Sequence, residues 1–486
     1  MQVSGISVET VALLLGSVAV LRVVQGYLDY RRVLASIKYL PGHRTVVSSA
    51  TVFGNLFPPI PILSLGHDHF WRLKHSSFAQ RGLDVVSAVS WWPSAAAVLW
   101  IADASIVKEI MWSRGRFPKP LHQYKILTFF GENIVVSEAD EWKRYRKIVA
   151  PAFSDKNNRL VWEATTKIML DLFDDVWAGK NEITIEHGVD LTLPIALFVI
   201  GAAGFGRDIS WKEDDIIPPG ASKYLLEMIH ARKAADKAEE RHDLFSSLLA
   251  ANEDEGLSKD ERKLSDSELI GNIFIFLVAG HETTAHSLCF ALAMLALYPE
   301  EQENLYQHIK SVLPDGRIPT YDDMPLLTHS LAVFNESLRM FAPVTNVPKS
   351  SAEDATFTTT DVNGEKQTIT VPQGMILSLD VVGLHYNPKY WEDPETFKPS
   401  RFLGDWNKDA FLPFSGGYRG CVGRKFSETE GTAVLTYFVS RFKIEIKEEP
   451  QFAHETFEQR KERVLGARSA ITLAPTRTPL VFKRRV

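Results

Sequence analysis

The residues best suited to chemistry form a ten-residue stretch near the C-terminus, FSGGYRGCVG, at positions 414–423. It contains Cys421, one of only two cysteines in the 486-residue chain, together with four glycines and Arg419. The pattern after the cysteine predicts the start of a helix, where backbone N–H groups and the helix dipole favour an anion. We therefore expect the helix end and Arg419 to lower the pKa of the Cys421 thiol.

The glycines around Cys421 carry no side chains, so a flat and bulky group could approach the backbone there. A thiolate with such an open face suits the iron of haem, because it donates electron density that favours cleavage of the O–O bond. The alternative is a structural cysteine buried in a glycine-rich turn. The other cysteine, Cys289, lies between Leu288 and Phe290 in an apolar helical stretch, and we interpret it as a small buried hydrophobic residue.

A long helix is predicted to carry the next group of polar residues. It opens at Ser265, where Ser265 and Glu268 have the spacing of a capping box, and it can continue to Tyr298, before Pro299. Residues 269–279 are apolar or small apart from one asparagine. This composition indicates that the first half of the helix is buried.

The sequence GHETT at positions 280–284 then introduces polar groups into this apolar helix. Polar groups in a buried helix need partners, and a threonine hydroxyl can bond a carbonyl one turn back and bend the helix. We interpret the stretch as a local opening that holds water beside the iron, in which Glu282 and Thr283 relay protons to dioxygen. A solvated helix end with incidental polar residues is the alternative.

Two charged residues, Glu336 and Arg339, are spaced i, i+3 on one predicted helix. Such a pair is common and stabilises a helix only weakly. The sequence Pro-Ser-Arg-Phe at 399–402 supplies a third member, Arg401. We interpret Glu336 between the two arginines as a structural lock, in which loss of one partner would cost roughly 3–5 kcal/mol.

Trp142 and Arg146 lie one helical turn apart in the sequence WKRYR. A cation and an indole N–H on one helix face could bind the propionate groups of haem. An amphipathic surface helix with no ligand is the alternative interpretation.

The N-terminal region contains an uncharged apolar run at positions 11–21. It is shorter than the roughly 20 residues of a full membrane span, but Arg22 could extend it by snorkelling. The first ten residues lack the basic residues that begin a signal peptide. We expect an uncleaved membrane anchor and linker at residues 1–40 and a cytosolic catalytic domain at 41–486. A merely buried apolar helix is the alternative.

The rest of the sequence predicts a mainly α fold with small β-sheets. The uncharged run at 85–102 has Pro93 and Ser94 in a turn position between alternating apolar residues, which predicts a β-hairpin. Asp103 is then expected to cap a short helix. The dipeptide Asn363-Gly364 predicts a second hairpin.

The composition excludes several classes of protein. The formal net charge of −6 gives no basic surface for nucleic acid, so we expect no nucleic-acid partner. Two cysteines exclude a disulfide framework, and the surroundings of Cys421 indicate a reduced thiol on a cytosolic face.

Together these residues resemble the cytochrome P450 family, and the overall sequence is similar to fungal membrane-bound members. The cysteine loop matches the Phe-x-x-Gly-x-Arg-x-Cys-x-Gly pattern of the family at Phe414, Gly417, Arg419, Cys421 and Gly423. Four weaker motifs are matched in the family's order: the Trp-x-x-x-Arg helix, the oxygen-activation motif, the Glu-x-x-Arg pair and the Pro-x-Arg-Phe segment. They lie at Trp142 and Arg146, at 279–284, at Glu336 and Arg339, and at 399–402.

The resemblance implies a largely α-helical prism with haem b held between two helices. Cys421 would be the axial ligand of the iron, and Arg146, Trp142 and Arg419 would hold the propionates. Glu282 and Thr283 would deliver protons. Electrons would come from NADPH through a membrane-bound NADPH–cytochrome P450 reductase at the endoplasmic reticulum. The segments expected to contact substrate are 117–134, the central helix before Thr283, 344–347 and 465–471.

The sequence departs from the family between the end of its fifth helix, near residues 204–206, and the central helix. The family has two long helices, a connecting loop and a shorter helix here, whereas residues 207–264 have room only for helices at about 222–238 and 242–251. We interpret this as a shortened roof over the substrate pocket, or as an incompletely spliced product.

The expected function is haem-thiolate monooxygenation of a small apolar molecule, with terpenoids or other secondary metabolites as the first guess and fatty acids as the second. A haem-thiolate isomerase or dehydratase would not need the proton relay of Glu282 and Thr283. The main alternative is a non-catalytic or impaired haem-binding product, caused by the shortened segment 207–264.

Overall fold

The structure is a computed structural model that describes residues 8–49, 51, 54, 57–113, 115–207, 211, 243–253 and 263–485. The described part is mainly α-helical with small β-sheets, as predicted. The chain divides into two compact units. One unit contains residues 1–119 and 346–387, and the other contains residues 120–345 and 388–486.

The α-helices of the described residues range from four to 32 residues in length. In chain order they are α1 (Val8–Ser36), α2 (His69–Leu73), α3 (Ser76–Ala79), α4 (Ala104–Trp112), α5 (Ala139–Val149), α6 (Asp155–Asp171), α7 (Val189–Val199), α8 (Leu244–Glu253), α9 (Asp266–Leu297), α10 (Pro299–Val312), α11 (Thr328–Met340), α12 (Val381–His385), α13 (Arg424–Arg441) and α14 (Phe457–Val464).

The strands are short and form four small sheets in the described residues. They are β1 (Gly42–Val47), β2 (Val85–Trp92), β3 (Ala96–Ile101), β4 (Glu182–Ile185), β5 (Asn346–Ser350), β6 (Ala355–Thr360), β7 (Lys366–Val371), β8 (Ile376–Asp380), β9 (Phe442–Ile446), β10 (Ala467–Ser469), β11 (Leu473–Pro475) and β12 (Leu480–Arg484).

The first unit begins with the apolar helix α1. Its segment Glu9–Ser36 is long and apolar enough to cross a membrane, and none of its most apolar window, of mean hydropathy 1.8, is buried. The buried apolar helix considered as an alternative therefore does not describe this segment. Closer to its C-terminal end α1 meets the sheet, because a Cβ at Gly26 would lie 2.5 Å from the indole nitrogen of Trp91.

The main sheet of the first unit has the strand order β1-β2-β3-β8-β5. Strands β2 and β3 pair antiparallel, with Val85 opposite Ile101, so the predicted first hairpin is confirmed. Asp103 accepts hydrogen bonds from the N–H groups of Ser105 and Ile106 and caps α4, as predicted. Strands β6 and β7 form the second predicted hairpin.

The second unit is built around α9, which packs on α7, α11 and α13. The predicted capping box is confirmed, since the side chains and N–H groups of Ser265 and Glu268 bond reciprocally. Gly271 allows close packing, because a Cβ there would lie 2.4 Å from the carbonyl oxygen of Glu132. The buried Asn272 accepts a hydrogen bond from the N–H of Ile134 at 3.0 Å, which satisfies its amide oxygen.

Two small sheets complete the second unit. Strands β4, β12 and β9 form one sheet in that order, and β10 pairs antiparallel with β11 in the other. The turn between β10 and β11, at residues 470–472, is closed by a hydrogen bond from the N–H of Ala470 to the carbonyl of Thr472 at 3.0 Å.

The segment 207–264 is described only in part. The helix predicted at 222–238 lies outside the described residues. The shorter helix predicted at 242–251 is confirmed as α8, and its residues Leu244, Phe245 and Leu248 are buried.

Candidate functional site

The cysteine loop ends at the start of α13, as its sequence predicts. Residues Gly417–Arg419 form a 3₁₀ turn, and Gly417 has a φ of +58°, a conformation that favours glycine. The N–H of Cys421 donates to the carbonyl of Phe414 at 2.9 Å, which closes the loop. Gly423 is the N-cap of α13. The local sequence thus holds Cys421 just before a helix N-terminus.

The electrostatics of Cys421 differ from the expectation. Cys421 keeps exposed surface, but the surrounding protein removes water from the thiol and thereby raises its pKa. The backbone of Gly423 and the charges of Arg146 and Arg424 act in the opposite direction without cancelling this shift. The predicted net lowering of the pKa is therefore wrong for the chain alone. The guanidinium of Arg419, which was expected to lower this pKa, donates instead to Glu138.

Arg419 and Trp142 form one contact group beside the loop. The guanidinium carbon of Arg419 lies 4.5 Å from the centre of the Trp142 ring, and Nη2 donates to Glu138 Oε1 at 2.9 Å. Nε and Nη1 of Arg419 are buried and meet no acceptor among the described residues. Burial lowers the pKa of Arg419, although Glu138 opposes this shift.

Trp142 and Arg146 lie on one face of α5, as their spacing predicts. Arg146 Nη1 donates to the carbonyl of Gly420 at 3.0 Å, immediately before Cys421. The structure therefore brings Cys421, Arg146, Arg419 and Trp142 together through a continuous set of contacts.

The polar residues of α9 have separate partners. Thr283 Oγ1 donates to the carbonyl of Ala279 at 2.7 Å, the predicted bond one turn back. Glu282 Oε1 accepts a hydrogen bond from Thr472 Oγ1 at 2.8 Å. The helix is continuous through these residues, so the predicted local opening is not present in this structure.

The family of this chain follows from a comparison of its sequence with models of known protein families. A sequence model of the family described as Cytochrome P450 matches residues 58–218 and 219–465 of this chain. The chain belongs to the cytochrome P450 family.

Relatives of this P450 include named monooxygenases. Cytochrome P450 monooxygenase 124 of Postia placenta is 52% identical, over 96% of this chain and 98% of the relative. A cytochrome P450 monooxygenase of Arthrobotrys oligospora is 27% identical, over 77% of this chain and 80% of the relative. These matches identify the protein as a cytochrome P450 monooxygenase, which is an oxidoreductase.

A solved P450 structure has the same fold. The crystal structure of the cytochrome P450DA heme domain superposes with a TM-score of 0.71 at 20% identity, covering 87% of this chain and 94% of that chain. The predicted fold class is therefore confirmed.

The comparisons also bear on the shortened segment. The alignment with the Postia relative has 514 positions, more than the 486 residues of this P450, so the relative carries residues that this chain lacks. The match to the family also divides between residues 218 and 219, inside the stretch predicted to be shortened.

Membership of the P450 family implies haem, and the residues of this structure fit it. Cys421 offers a sulfur ligand, and a coordinating thiol is deprotonated outright by a bound metal cation. The unpartnered Nε and Nη1 of Arg419 are buried donors that suit a carboxylate group. Such donors are costly to bury without an acceptor, so a propionate fits this position.

The predicted lock of Glu336, Arg339 and Arg401 is formed. Arg339 Nε lies 2.7 Å from Glu336 Oε2, and Arg401 Nε lies 3.0 Å from Glu336 Oε1. The side chains of Glu336 and Arg339 have no exposed surface. The N–H of Lys398 also donates to Glu336, at 2.9 Å, so the carboxylate joins α11 to the segment around 399–402.

Sequence reasoning missed the partners of Glu282. Thr472 donates a hydrogen bond to the carboxylate, and His286 is hydrogen-bonded to Thr472. Thr472 is far from Glu282 in sequence. The only local signal was the spacing of His286, one turn after Glu282 on the same helix.

Proposed function

We propose that this P450 is a membrane-attached haem-thiolate monooxygenase that inserts one oxygen atom of O₂ into a small apolar substrate. The observation that carries the proposal is the position of Cys421, held before α13 by Phe414 and flanked by Arg146. The pKa of the free Cys421 thiol is raised, but a metal cation deprotonates a thiol that coordinates it, so iron binding would make Cys421 a thiolate.

The proposed cofactor is haem b, which activates dioxygen when it is bound. In our proposal Cys421 is its iron ligand, and Phe414, Gly417 and Gly423 shape the loop that presents the sulfur. Arg146, Trp142 and Arg419 hold the propionates. The free donors of Arg419 support this assignment, because charge-assisted bonds to carboxylates are strong.

Glu282 and Thr283 are the proposed catalytic residues for proton delivery. The Thr283 hydroxyl donates a hydrogen bond to the carbonyl of Ala279. Its oxygen retains lone pairs that can accept a hydrogen bond from another group. The carboxylate of Glu282 lies on the adjacent position of α9 and accepts from Thr472. A positioned acid or base of this kind contributes roughly 10²–10⁴-fold to a rate.

We further propose that residues 1–40 anchor the protein and that residues 41–486 form the catalytic domain, on the cytosolic side of the endoplasmic reticulum. The exposed apolar helix α1 supports this arrangement. NADPH–cytochrome P450 reductase is the proposed electron donor, and terpenoids or other secondary metabolites are the proposed substrates. A membrane location suits such apolar molecules, which partition into lipid.

The second candidate is a haem-binding product with impaired catalysis. Its support is the alignment of 514 positions against a chain of 486 residues, together with the division of the family match between residues 218 and 219. Residues lost there would reduce the roof of the substrate pocket and leave the cysteine loop intact.

One experiment separates the two candidates. The purified full-length chain is reduced under carbon monoxide, and NADPH, reductase and oxygen are then supplied with a sesquiterpene or with lauric acid. A thiolate spectrum with product supports the monooxygenase. A thiolate spectrum without product, with turnover restored in a version that contains additional residues within 207–264, supports the impaired product. Absence of the thiolate spectrum contradicts both.

A further inference from the structure

Glu282 belongs to a partly buried hydrogen-bond chain that reaches beyond its own helix. Thr472 Oγ1 donates to Glu282 Oε1 at 2.8 Å. Thr472 Oγ1 also lies 3.0 Å from Nδ1 of His286. Thr472 and His286 are 5% and 8% exposed. The chain therefore joins the central helix α9 to the turn between β10 and β11.

The direction of these hydrogen bonds follows from the chemistry of the three groups. An ionised carboxylate can only accept, so the single hydroxyl proton of Thr472 is used in the bond to Glu282. The hydroxyl oxygen must then accept from His286. This requires a proton on Nδ1 of His286, and it fixes the tautomer of a neutral ring.

The charges around His286 agree with a neutral ring. Burial lowers the pKa of His286, and the nearby His187, His281 and Arg468 act in the same direction. Glu282 alone among these groups raises it. These groups lie on α9, on β10 and in the loop between β4 and α7.

We propose that Thr472 and His286 are positioning residues that hold the Glu282 carboxylate at the β10–β11 turn, a role that rests on the proposed monooxygenase function. In this arrangement His286 orients the Thr472 hydroxyl, and Thr472 orients the carboxylate. Neither residue is itself required to exchange a proton with substrate or cofactor.

The arrangement has a consequence for substrate recognition. Ile471, next to Thr472 in the same turn, is 67% exposed, and it belongs to the segment 465–471 that is expected to contact substrate. Because Thr472 is bonded to Glu282, a substrate that displaces this turn also displaces the carboxylate. Proton delivery by Glu282 is thereby linked to the binding of substrate against the β10–β11 turn.

The tautomer of His286 gives a test that does not depend on activity. The full-length holoenzyme, labelled with ¹⁵N-histidine and kept in the diamagnetic ferrous carbon monoxide form, is examined by NMR. The His286 signals are assigned by their loss in His286→Asn. We expect the Nδ1–H tautomer in the parent protein and in Thr472→Ser, and loss of that preference in Thr472→Val. An Nε2–H tautomer in the parent protein overturns the proposal.

Turnover gives the second test. Thr472→Val and His286→Leu are expected to raise the peroxide released per NADPH roughly 10-fold, less than the 10²–10⁴-fold contribution of a proton-transfer group itself. Lauric acid serves as the probe. Thr472→Ser keeps the hydroxyl, and His286→Asn keeps a nitrogen donor near the position of Nδ1, so both should stay close to the parent protein. Equal peroxide yields in all four variants overturn the proposal.

A matched control separates this role from general destabilisation. Thr165 is also a buried threonine, but its hydroxyl donates to the carbonyl of Val161 in its own helix. Thr165→Val should therefore leave both the tautomer and the peroxide yield unchanged. If the parent protein shows no thiolate spectrum, the proposed function fails, whereas a normal spectrum with an unaltered tautomer in Thr472→Val refutes the positioning role alone.

Discussion

The hydroxyl groups of Thr284 and Ser427 lie 3.2 Å apart, within hydrogen-bonding distance, between α9 and α13. Thr284 directly follows Thr283 on α9. Ser427 lies on the first turn of α13, where its N–H donates to the carbonyl of Gly423. This contact therefore fixes how far the proposed proton-relay residues lie from the loop that carries Cys421.

Replacement of Cys421 tests the proposed iron ligand. Cys421→Ala should abolish the thiolate band of the reduced carbon monoxide spectrum, because no sulfur remains in the loop. Cys289→Ala is the matched control, since Cys289 is buried in α9 and should change stability without altering that band. A thiolate spectrum that survives in Cys421→Ala would show that the ligand assignment is wrong.

Replacement of Thr283 tests the proton relay. Thr283→Ala should release several times more peroxide per NADPH, because protons no longer reach dioxygen efficiently, while haem content and the carbon monoxide spectrum stay normal. Thr165→Ala is a close control, because the Thr165 hydroxyl also donates to a carbonyl one turn back, at 2.7 Å. Unchanged coupling in Thr283→Ala would remove this residue from the relay.

The parts of this protein that the sequence predicts well are set by local chemistry. The capping box of Ser265 and Glu268, the cap at Asp103 and both hairpins depend on neighbouring residues, and all are observed. The position of Cys421 before a helix is local in the same way. Spacing also placed Glu336 and Arg339 on one face, where they meet Arg401.

The parts that were missed depend on contacts between distant segments. Thr472 reaches Glu282 only because the β10–β11 turn packs beside α9. Arg419 turns toward Glu138 and Trp142, and desolvation by the surrounding protein raises the pKa of Cys421. Neither the direction of a side chain nor the burial of its neighbourhood can be read from a motif.

The Glu336 cluster should be essential for stability. Glu336→Gln removes the charge that two buried arginines share, which leaves those cations without compensation and should cost roughly 3–5 kcal/mol. The measurement is the free energy of unfolding in urea, with haem content recorded in parallel. A loss below about 1 kcal/mol would contradict the role of the cluster as a structural lock.

An exposed ion pair of the same spacing provides the control. Lys143 and Asp140 are also three residues apart on one helix, with a 2.7 Å contact, but their side chains are 66% and 93% exposed. Asp140→Asn should change the free energy of unfolding by less than about 1 kcal/mol, because solvent screens such pairs. The comparison isolates burial as the cause of the difference.

Glu268 should make the stability of the second unit depend on pH. Burial alone would raise the pKa of Glu268, but hydrogen bonds from Arg144, the N–H of Ser265 and Tyr145 lower it to about 2. The pKa of Glu268 is thus depressed in the folded chain. Its ionised carboxylate therefore contributes fully to folding stability at pH values above the ordinary glutamate pKa, and this contribution is lost as pH falls toward 2. With allowance for solvent screening, we expect Glu268→Gln to cost about 1–2 kcal/mol at pH 7.

The difference in unfolding midpoint between the parent protein and Glu268→Gln should therefore be largest at pH 7 and should narrow between pH 5 and pH 3. Glu300→Gln is the control, because Glu300 is an exposed acid in the first turn of α10 and tests the helix dipole alone. Its effect should be smaller at every pH. A Glu268→Gln difference that stays constant down to pH 3 would show that the carboxylate stabilises the fold through shape and not through its charge.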